Sequence, residues 1–406
     1  MRVLLSALAC EPGKGSEPEV GYRAALAAAQ RHDVWVLTDD ASVGPLQAAL
    51  ADEPDGARIR VHGIPFADAE FGRSTAGVLA FQWHYNRWQR KVARVSAELD
   101  AEIDFDVVHH VTLASYWTRA GVAAVDKPLV WGPIGGGVEP PMRLLSQLGP
   151  AGLAEHALRF AGRHLLARLA FARQPAEQAV VVFAQNPATA KRLRARGDVR
   201  LLSNATSVGM TDLPARRAPE PRLMFVGRLV GWKGPLLALR ALRHLNDSSA
   251  TLHFYGSGPE RARLERRVER WGLTERVAFW GWMPRHVVLE QLASAAALVH
   301  PALHEEAGLC IAEALIIGVP VVCLAHGGPP EVTRQWPQRT ARLIRPQTTD
   351  ATARDIAAAL DDVLAASPSA LPAPMPPETS FAQQLLTAYS DAATGRPGQT
   401  RRARRR

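Results

Sequence analysis

Short apolar runs alternate with helix-periodic, Ala-rich segments along nearly the whole chain. Strand-like runs fall at 3–9, 33–38, 58–62, 107–111, 129–131 and 180–184, with helical patterns such as 20–30 between them. Strands separated by helices cannot pair as hairpins, so this order predicts a parallel sheet with helices on both faces. The alternation stops over 204–221, where Asn204, Pro214, Pro219 and Pro221 sit in polar company. It then resumes, with strand-like runs at 223–226, 251–255, 277–280, 298–300 and 319–324 and helical stretches at 235–245, 260–271 and 309–317. A chain of 406 residues exceeds one ordinary core. Two doubly wound halves are expected, at 1–203 and 222–377, with a linker at 204–221. A Pro-rich stretch over 367–377 precedes one more helix within 378–393, and a basic tail fills 394–406.

Composition narrows the class. Hydrophobic residues make up 47% and charged residues 21%, as in a globular enzyme. The net charge of +9 admits an anionic partner, but five of the last six residues are arginines in a tail read as disordered. With RNA-binding motifs missing, nucleic acid is set aside. Cys10, Cys310 and Cys323 lack metal-ligand spacing, and their odd number completes no disulfide set, so a cytoplasmic setting is expected. The opening MRVLLSALAC is too short for a leader and is cut by the turn Glu11-Pro12-Gly13, so it reads as a buried strand. No apolar stretch reaches the length of a membrane span. The basic, aromatic segments 81–88 and 156–173 leave a peripheral contact with the inner membrane face open. The competing reading is helices packed on the sheet with arginines turned outward.

In an open parallel sheet ligands bind beyond the carboxyl ends of strands, and the informative residues lie there. After Leu298-Val299-His300-Pro301 comes His304-Glu305-Glu306-Ala307-Gly308-Leu309-Cys310-Ile311-Ala312-Glu313. Glu305 and Glu313 flank a helix opening near Gly308, and a helix N-terminus is a ready anion site. The pair could hold hydroxyls on either side of a bound pyrophosphate, or merely complement the helix dipole. After 223–226 comes Gly227-Arg228-Leu229-Val230-Gly231-Trp232-Lys233-Gly234. Arg228 and Lys233 can point at one anion, though a surface turn with two cations reads the same. After the first strand, Gly13-Lys14-Gly15-Ser16-Glu17 could bring backbone against a phosphate or sugar through Gly15 and Ser16.

The E-x7-E pair and the G-R-x4-K-G loop about seventy-five residues upstream resemble the retaining glycosyltransferases of family 4. The resemblance implies a GT-B fold, α/β, with two facing Rossmann-like domains and a cleft between them. It implies a nucleotide-sugar donor as substrate, an acceptor held by the first domain, and transfer with retained configuration. By this resemblance Arg228 and Lys233 bind pyrophosphate, Glu313 the ribose, Glu305 the transferred sugar, and the backbone of Gly308, Leu309 and Cys310 the distal phosphate. The final helix is expected to pack back on the first domain through Phe381, Leu385 and Tyr389. Three departures stand out: Glu306-Ala307 replaces the commoner Pro-Phe, Gly15-Ser16-Glu17 replaces a double glycine, and His109-His110 replaces His-x-His. His110, at the strand end, is favoured over His109 as the histidine of the catalytic centre.

Asp104-Phe105-Asp106 matches the D-x-D signature of metal-dependent transferases but sits at the wrong end of its strand, so no metal and no further cofactor is expected. Trp131-Gly132-Pro133-Ile134-Gly135-Gly136-Gly137 could shape a cleft floor or simply turn the chain. No carboxylate is placed as a covalent nucleophile, which suggests front-face transfer. A nucleotide-sugar epimerase on the same fold is the alternative.

Overall fold

The computed structural model describes residues 1–66, 75–113, 115–166, 169–207, 220–334, 336, 340–366 and 381–395. The chain divides into two compact units. The first comprises Met1–Gly137, Leu158–Ser207 and Thr379–Arg406, the second Val138–Ala157 and Val208–Glu378.

The first unit holds β1 (Arg2–Ala7), β2 (Asp33–Thr38), β3 (Ile59–Gly63), β4 (Val107–Thr112), β5 (Leu129–Ile134), β6 (Ala179–Ala184) and β7 (Asp198–Leu201). They form one sheet in the order β3-β2-β1-β4-β5-β6-β7, every pair parallel. Alternation along the strands sends side chains to two cores. Val3, Leu5, Val107 and Val111 pack on one side with the helices Ser16–Ala29 and Phe381–Thr394. Leu4, Val108, Trp131 and Val182 pack on the other with Tyr85, Trp88 and Val92 of the helix Thr75–Ile103. That second face accounts for most of the aromatic segment 81–88. Trp88 is fully buried and donates Nε1–H to the Ile64 carbonyl at 2.9 Å, and Phe81 meets Phe66 edge-on, whereas Trp83 stays exposed under Arg87.

The helix Phe381–Thr394 closes the first core. Phe381, Leu385 and Tyr389 are buried in it, the Tyr389 hydroxyl lies 2.8 Å from His109 Nδ1, and Asp391 accepts from Arg200 at 2.6 Å.

The second unit holds β8 (Glu220–Val226), β9 (Thr251–Tyr255), β10 (Val277–Gly281), β11 (Ala295–His300), β12 (Val321–Leu324) and β13 (Ala341–Ile344). Their order is β10-β9-β8-β11-β12-β13, again wholly parallel. Leu223, Phe225, Leu252, Phe254, Val299 and Val322 form the sheet side of its core, with Leu237, Leu264 and Ile356 supplied by helices.

The expected unbroken stretch 1–203 is interrupted, because the segment 138–157 belongs to the second unit. Leu144 and Leu148 are buried in the second core, Gln147 donates to Thr349 Oγ1 at 3.1 Å, and His326 Nε2 lies 2.6 Å from the Glu139 carbonyl. The second unit starts its sheet at Glu220 rather than 222, and Asn204–Ser207 is a 3-10 turn of the first unit. The remainder of the expected linker, the Pro-rich stretch and the arginine tail lie outside the described residues. No helix among the described residues is long and apolar enough to cross a membrane.

Candidate functional site

In each sheet the strand order reverses at one point, between β1 and β4 and between β8 and β11. Loops leaving the two strands at such a point run in opposite directions and open a crevice. The sequence motifs fall on these loops.

In the second unit the turn after β8 begins at Gly227 and ends at Gly234, which has φ 73°. A side chain at Gly234 would also strike the Pro301 carbonyl, so glycine lets this turn lie directly against the loop after β11. The Trp232 carbonyl accepts from Leu303 N at 2.7 Å and ties the two loops together. Lys233 Nζ thereby reaches Glu305 Oε2 at 2.6 Å. On the same oxygen sits His300 Nε2 at 2.8 Å, and His300 Nδ1 lies 3.4 Å from Cys310 Sγ. Gly308 N donates to Glu305 Oε1 at 3.2 Å. Gly308 has φ 85° and starts the helix Leu309–Ile317; Ile311 N and Ala312 N already bond the Gly308 carbonyl, and the N–H groups of Leu309 and Cys310 precede that ladder.

The electrostatics follow from this crowding. Burial alone would push the Glu305 carboxyl up, but the Lys233 charge and the His300 hydrogen bond outweigh it and hold it well below the usual carboxylate range. Burial disfavours the His300 imidazolium, yet Cys310 and Glu305 overcome that and raise it to about 9. Lys233 is raised as well, since Glu305 outweighs its desolvation. Two cations thus meet one carboxylate beneath the positive end of a helix. Arg228, exposed beside Trp232 with its guanidinium 5.5 Å from the ring, adds a third cation.

Glu313, on the next turns of that helix, receives Arg285 Nε at 2.9 Å and a second Arg285 nitrogen at 2.8 Å. Glu306, which stands where the resembling family has Pro, accepts from Val138 N at 3.1 Å and lies 3.7 Å from His304 Nε2. Its carboxylate thus anchors the start of the segment 138–157.

The first unit carries a separate group of residues. The loop after β1 is fastened by Glu19, which accepts from Gly13 N at 2.8 Å, and Gly15 turns into the helix at Ser16 with φ 66°. Burial raises the Glu17 carboxyl to about 7. At the end of β4 the two histidines point to opposite faces. His109 donates Nε2–H to the Gly132 carbonyl at 2.7 Å and is left to accept from Tyr389, so it packs inside as a neutral ring, lowered by burial to about 4. His110 Nε2 lies 3.3 Å from the Tyr85 hydroxyl, whose proton goes to the Leu113 carbonyl at 3.0 Å. The ring therefore donates from Nε2, and its buried Nδ1 has no partner among the described residues. Burial lowers His110 to about 3.

Two other sequence candidates make contacts within the fold. Asp106 accepts from Arg2 N at 2.6 Å, and Asp104 pairs with Arg2 and Lys127 at the opening of β4. Gly136, with φ 102°, makes room for the Trp117 ring, where any side chain would collide. His300 and Arg285 escaped the sequence reading. Position offered one hint: His300 closes its strand just before Pro301, five residues from Glu305.

Residues 214–368 match the profile of the family described as Glycosyl transferases group 1. The match falls within the second unit. The chain is 36% identical over 110 residues to the 2-deoxystreptamine glucosyltransferase of Streptomyces kanamyceticus, and 33% identical over 139 residues to the 2-deoxystreptamine N-acetyl-D-glucosaminyltransferase of Streptomyces fradiae. These matches take in 27% and 32% of this chain and 28% and 32% of the relatives' own lengths. The whole fold is similar to the sucrose-phosphate synthase from Thermosynechococcus elongatus, with TM-score 0.60 and 18% identity over 98% of this chain and 96% of the other. It is also similar to Anabaena HepE in complex with UDP-glucose, with TM-score 0.56 and 17% identity over 97% and 99%. The fold is GT-B, two parallel-sheet Rossmann-like units, and the matched stretch 214–368 holds the Lys233–Glu305–His300 cluster.

Proposed function

We propose that the protein is a glycosyltransferase that takes a nucleotide-sugar donor on its group 1 domain and transfers the sugar with retention. The observation that carries this is the convergence of Lys233, Glu305 and the Gly308 helix start at the strand-order reversal of a group 1 domain. Lys233 and the exposed Arg228 suit the two charges of a leaving diphosphate, and the first-turn N–H groups of Leu309 and Cys310 suit its distal phosphate. Glu305 and Glu313 are acceptor-only groups fitted to sugar and ribose hydroxyls. Fixed cations and an oriented helix end stabilise a departing diphosphate without reorganisation, so the proposed reaction needs no added metal. The leaving phosphate then serves as the base for the acceptor hydroxyl, since neutral His110 is a weak base at about 3.

HepE binds UDP-glucose, and the first relatives act on 2-deoxystreptamine. A uridine diphosphate donor and a hydroxyl-bearing small molecule or glycan acceptor are accordingly proposed. The relatives named above are all transferases, and no structural feature favours an epimerase. Thermal melts with UDP-, GDP-, ADP- and dTDP-sugars test the reading. A true donor at 100 times its Kd should add about 2.7 kcal/mol. Equal melts with every nucleotide-sugar would defeat it.

A further inference from the structure

Glu305 Oε2 carries two cationic donors that differ in access. The Lys233 side chain is 24% exposed, whereas the His300 side chain is 2% exposed and sealed behind the carboxylate. An arriving anion meets Lys233 first. If Lys233 leaves, a buried carboxylate loses half its compensation, a costly state unless another charge remains.

We propose that His300 is a positioning residue: held between Cys310 Sγ and Glu305 Oε2, its imidazolium keeps Glu305 ionised and aimed after a donor phosphate draws Lys233 away. This rests on reading Lys233 as a phosphate ligand. Both ring N–H groups are used, one toward sulfur and one toward carboxylate, which fixes the ring and in turn the carboxylate. The groups that bear on His300 are Glu305 from the loop after β11, Lys233 from the turn after β8, Cys310 from the helix and Cys323, its register partner on β12. Arg228 acts on the cluster through Lys233. The imidazolium survives to about pH 9, above any range in which a free histidine would hold its charge.

The test has two parts on the full chain. Side-chain NMR of the wild type between pH 5 and 10, with His300→Gln to assign the ring, should show His300 titrating near 9 and falling by at least one pH unit in Glu305→Gln. Titration at or below 7 in the wild type overturns the proposal, and this part needs no ligand. Calorimetry with UDP should then show about tenfold weaker binding by His300→Gln at pH 7. Wild-type affinity should fall more steeply as pH passes 9 than that of His300→Gln, the uracil ring's own ionisation being common to both. Matching profiles overturn the proposal. Absence of nucleotide binding by the wild type would sink the donor reading, while the NMR titration still decides the state of His300. Should His300→Gln fail to fold, the ring is assigned as the histidine titration that Glu305→Gln shifts, a missing shift overturns the proposal, and the wild-type and Glu305→Gln titrations decide.

Discussion

At the scale of single residues, the cluster around Glu305 makes opposite demands at the two ends of the pH range. Its stabilising effect through Glu305 is complete above the ordinary carboxylate range and is lost as pH falls through the depressed folded value. Its effect through His300 is complete below about 6.5 and is lost as pH rises through about 9. The cluster's contribution to the melting temperature should therefore be greatest between the ordinary carboxylate range and about pH 6.5 and fall from there toward pH 9, and His300→Gln should remove that alkaline fall. Lys233→Ala should slow transfer by about 10²-fold through the loss of a preorganised phosphate contact, while leaving a cooperative melt. Unchanged turnover in that variant would remove Lys233 from the site. Glu17 has the reverse sign. Its carboxyl is raised to about 7 by burial, so ionisation weakens folding as pH climbs past the ordinary carboxylate value. Glu17→Gln should melt higher than the wild type at pH 8 and equally at pH 4, and a lower melt at pH 8 would contradict the burial.

At the scale of elements, strands near the middle of each sheet were legible because both their faces are buried, which writes them as continuous apolar runs. Of the four edge strands, β3 and β10 were expected at 58–62 and 277–280, but β7 and β13 left no such mark. β7 reads Asp-Val-Arg-Leu, half polar, and β13 reads Ala-Arg-Leu-Ile, broken by one arginine; both lie at the ends of their sheets, are four residues long, and were not expected. The glutamates and cations of the site could be read because their loops carry the motifs. Their pairing could not, since the His300–Glu305 and Arg285–Glu313 contacts depend on how loops meet rather than on spacing. The last helix shows the same division. Its apolar face was visible at Phe381, Leu385 and Tyr389, but the hydroxyl partner His109 lies 280 positions away. Leu385→Ala should cost the first unit about 2–5 kcal/mol in urea unfolding, the range for a buried leucine truncated to a cavity. Tyr389→Phe should cost about 1–3 kcal/mol by leaving His109 Nδ1 unsatisfied. Indifference to both would mean the helix contributes nothing to that core.

At the scale of the whole molecule, the two units use one plan, six or seven parallel strands with a reversal that brings two loops together. Chemistry divides between them: cations and carboxylates gather in the second, neutral buried histidines in the first. Under the proposed function activity should persist in excess EDTA, because Lys233, Arg228 and a helix end supply the positive charge. Loss of turnover on chelation, restored by Mg²⁺ or Mn²⁺, would require a metal on the donor. The segment 138–157 was illegible at this scale. Leu144 and Leu148 announce burial, but apolar character does not say in which of two cores.

The path of the chain has a consequence for its birth on the ribosome. The first core waits for Phe381, Leu385 and Tyr389, about 174 positions after that unit's preceding stretch ends at Ser207. At about 5–20 residues per second, the sheet that begins with Arg2 stands with one apolar face only partly covered, by the helix Ser16–Ala29, for roughly 10–35 s while the other unit is made. A nascent chain arrested near residue 366 should therefore be cut by protease within the first unit and bind a holdase chaperone. One arrested late enough to release residue 395 from the exit tunnel should resist both.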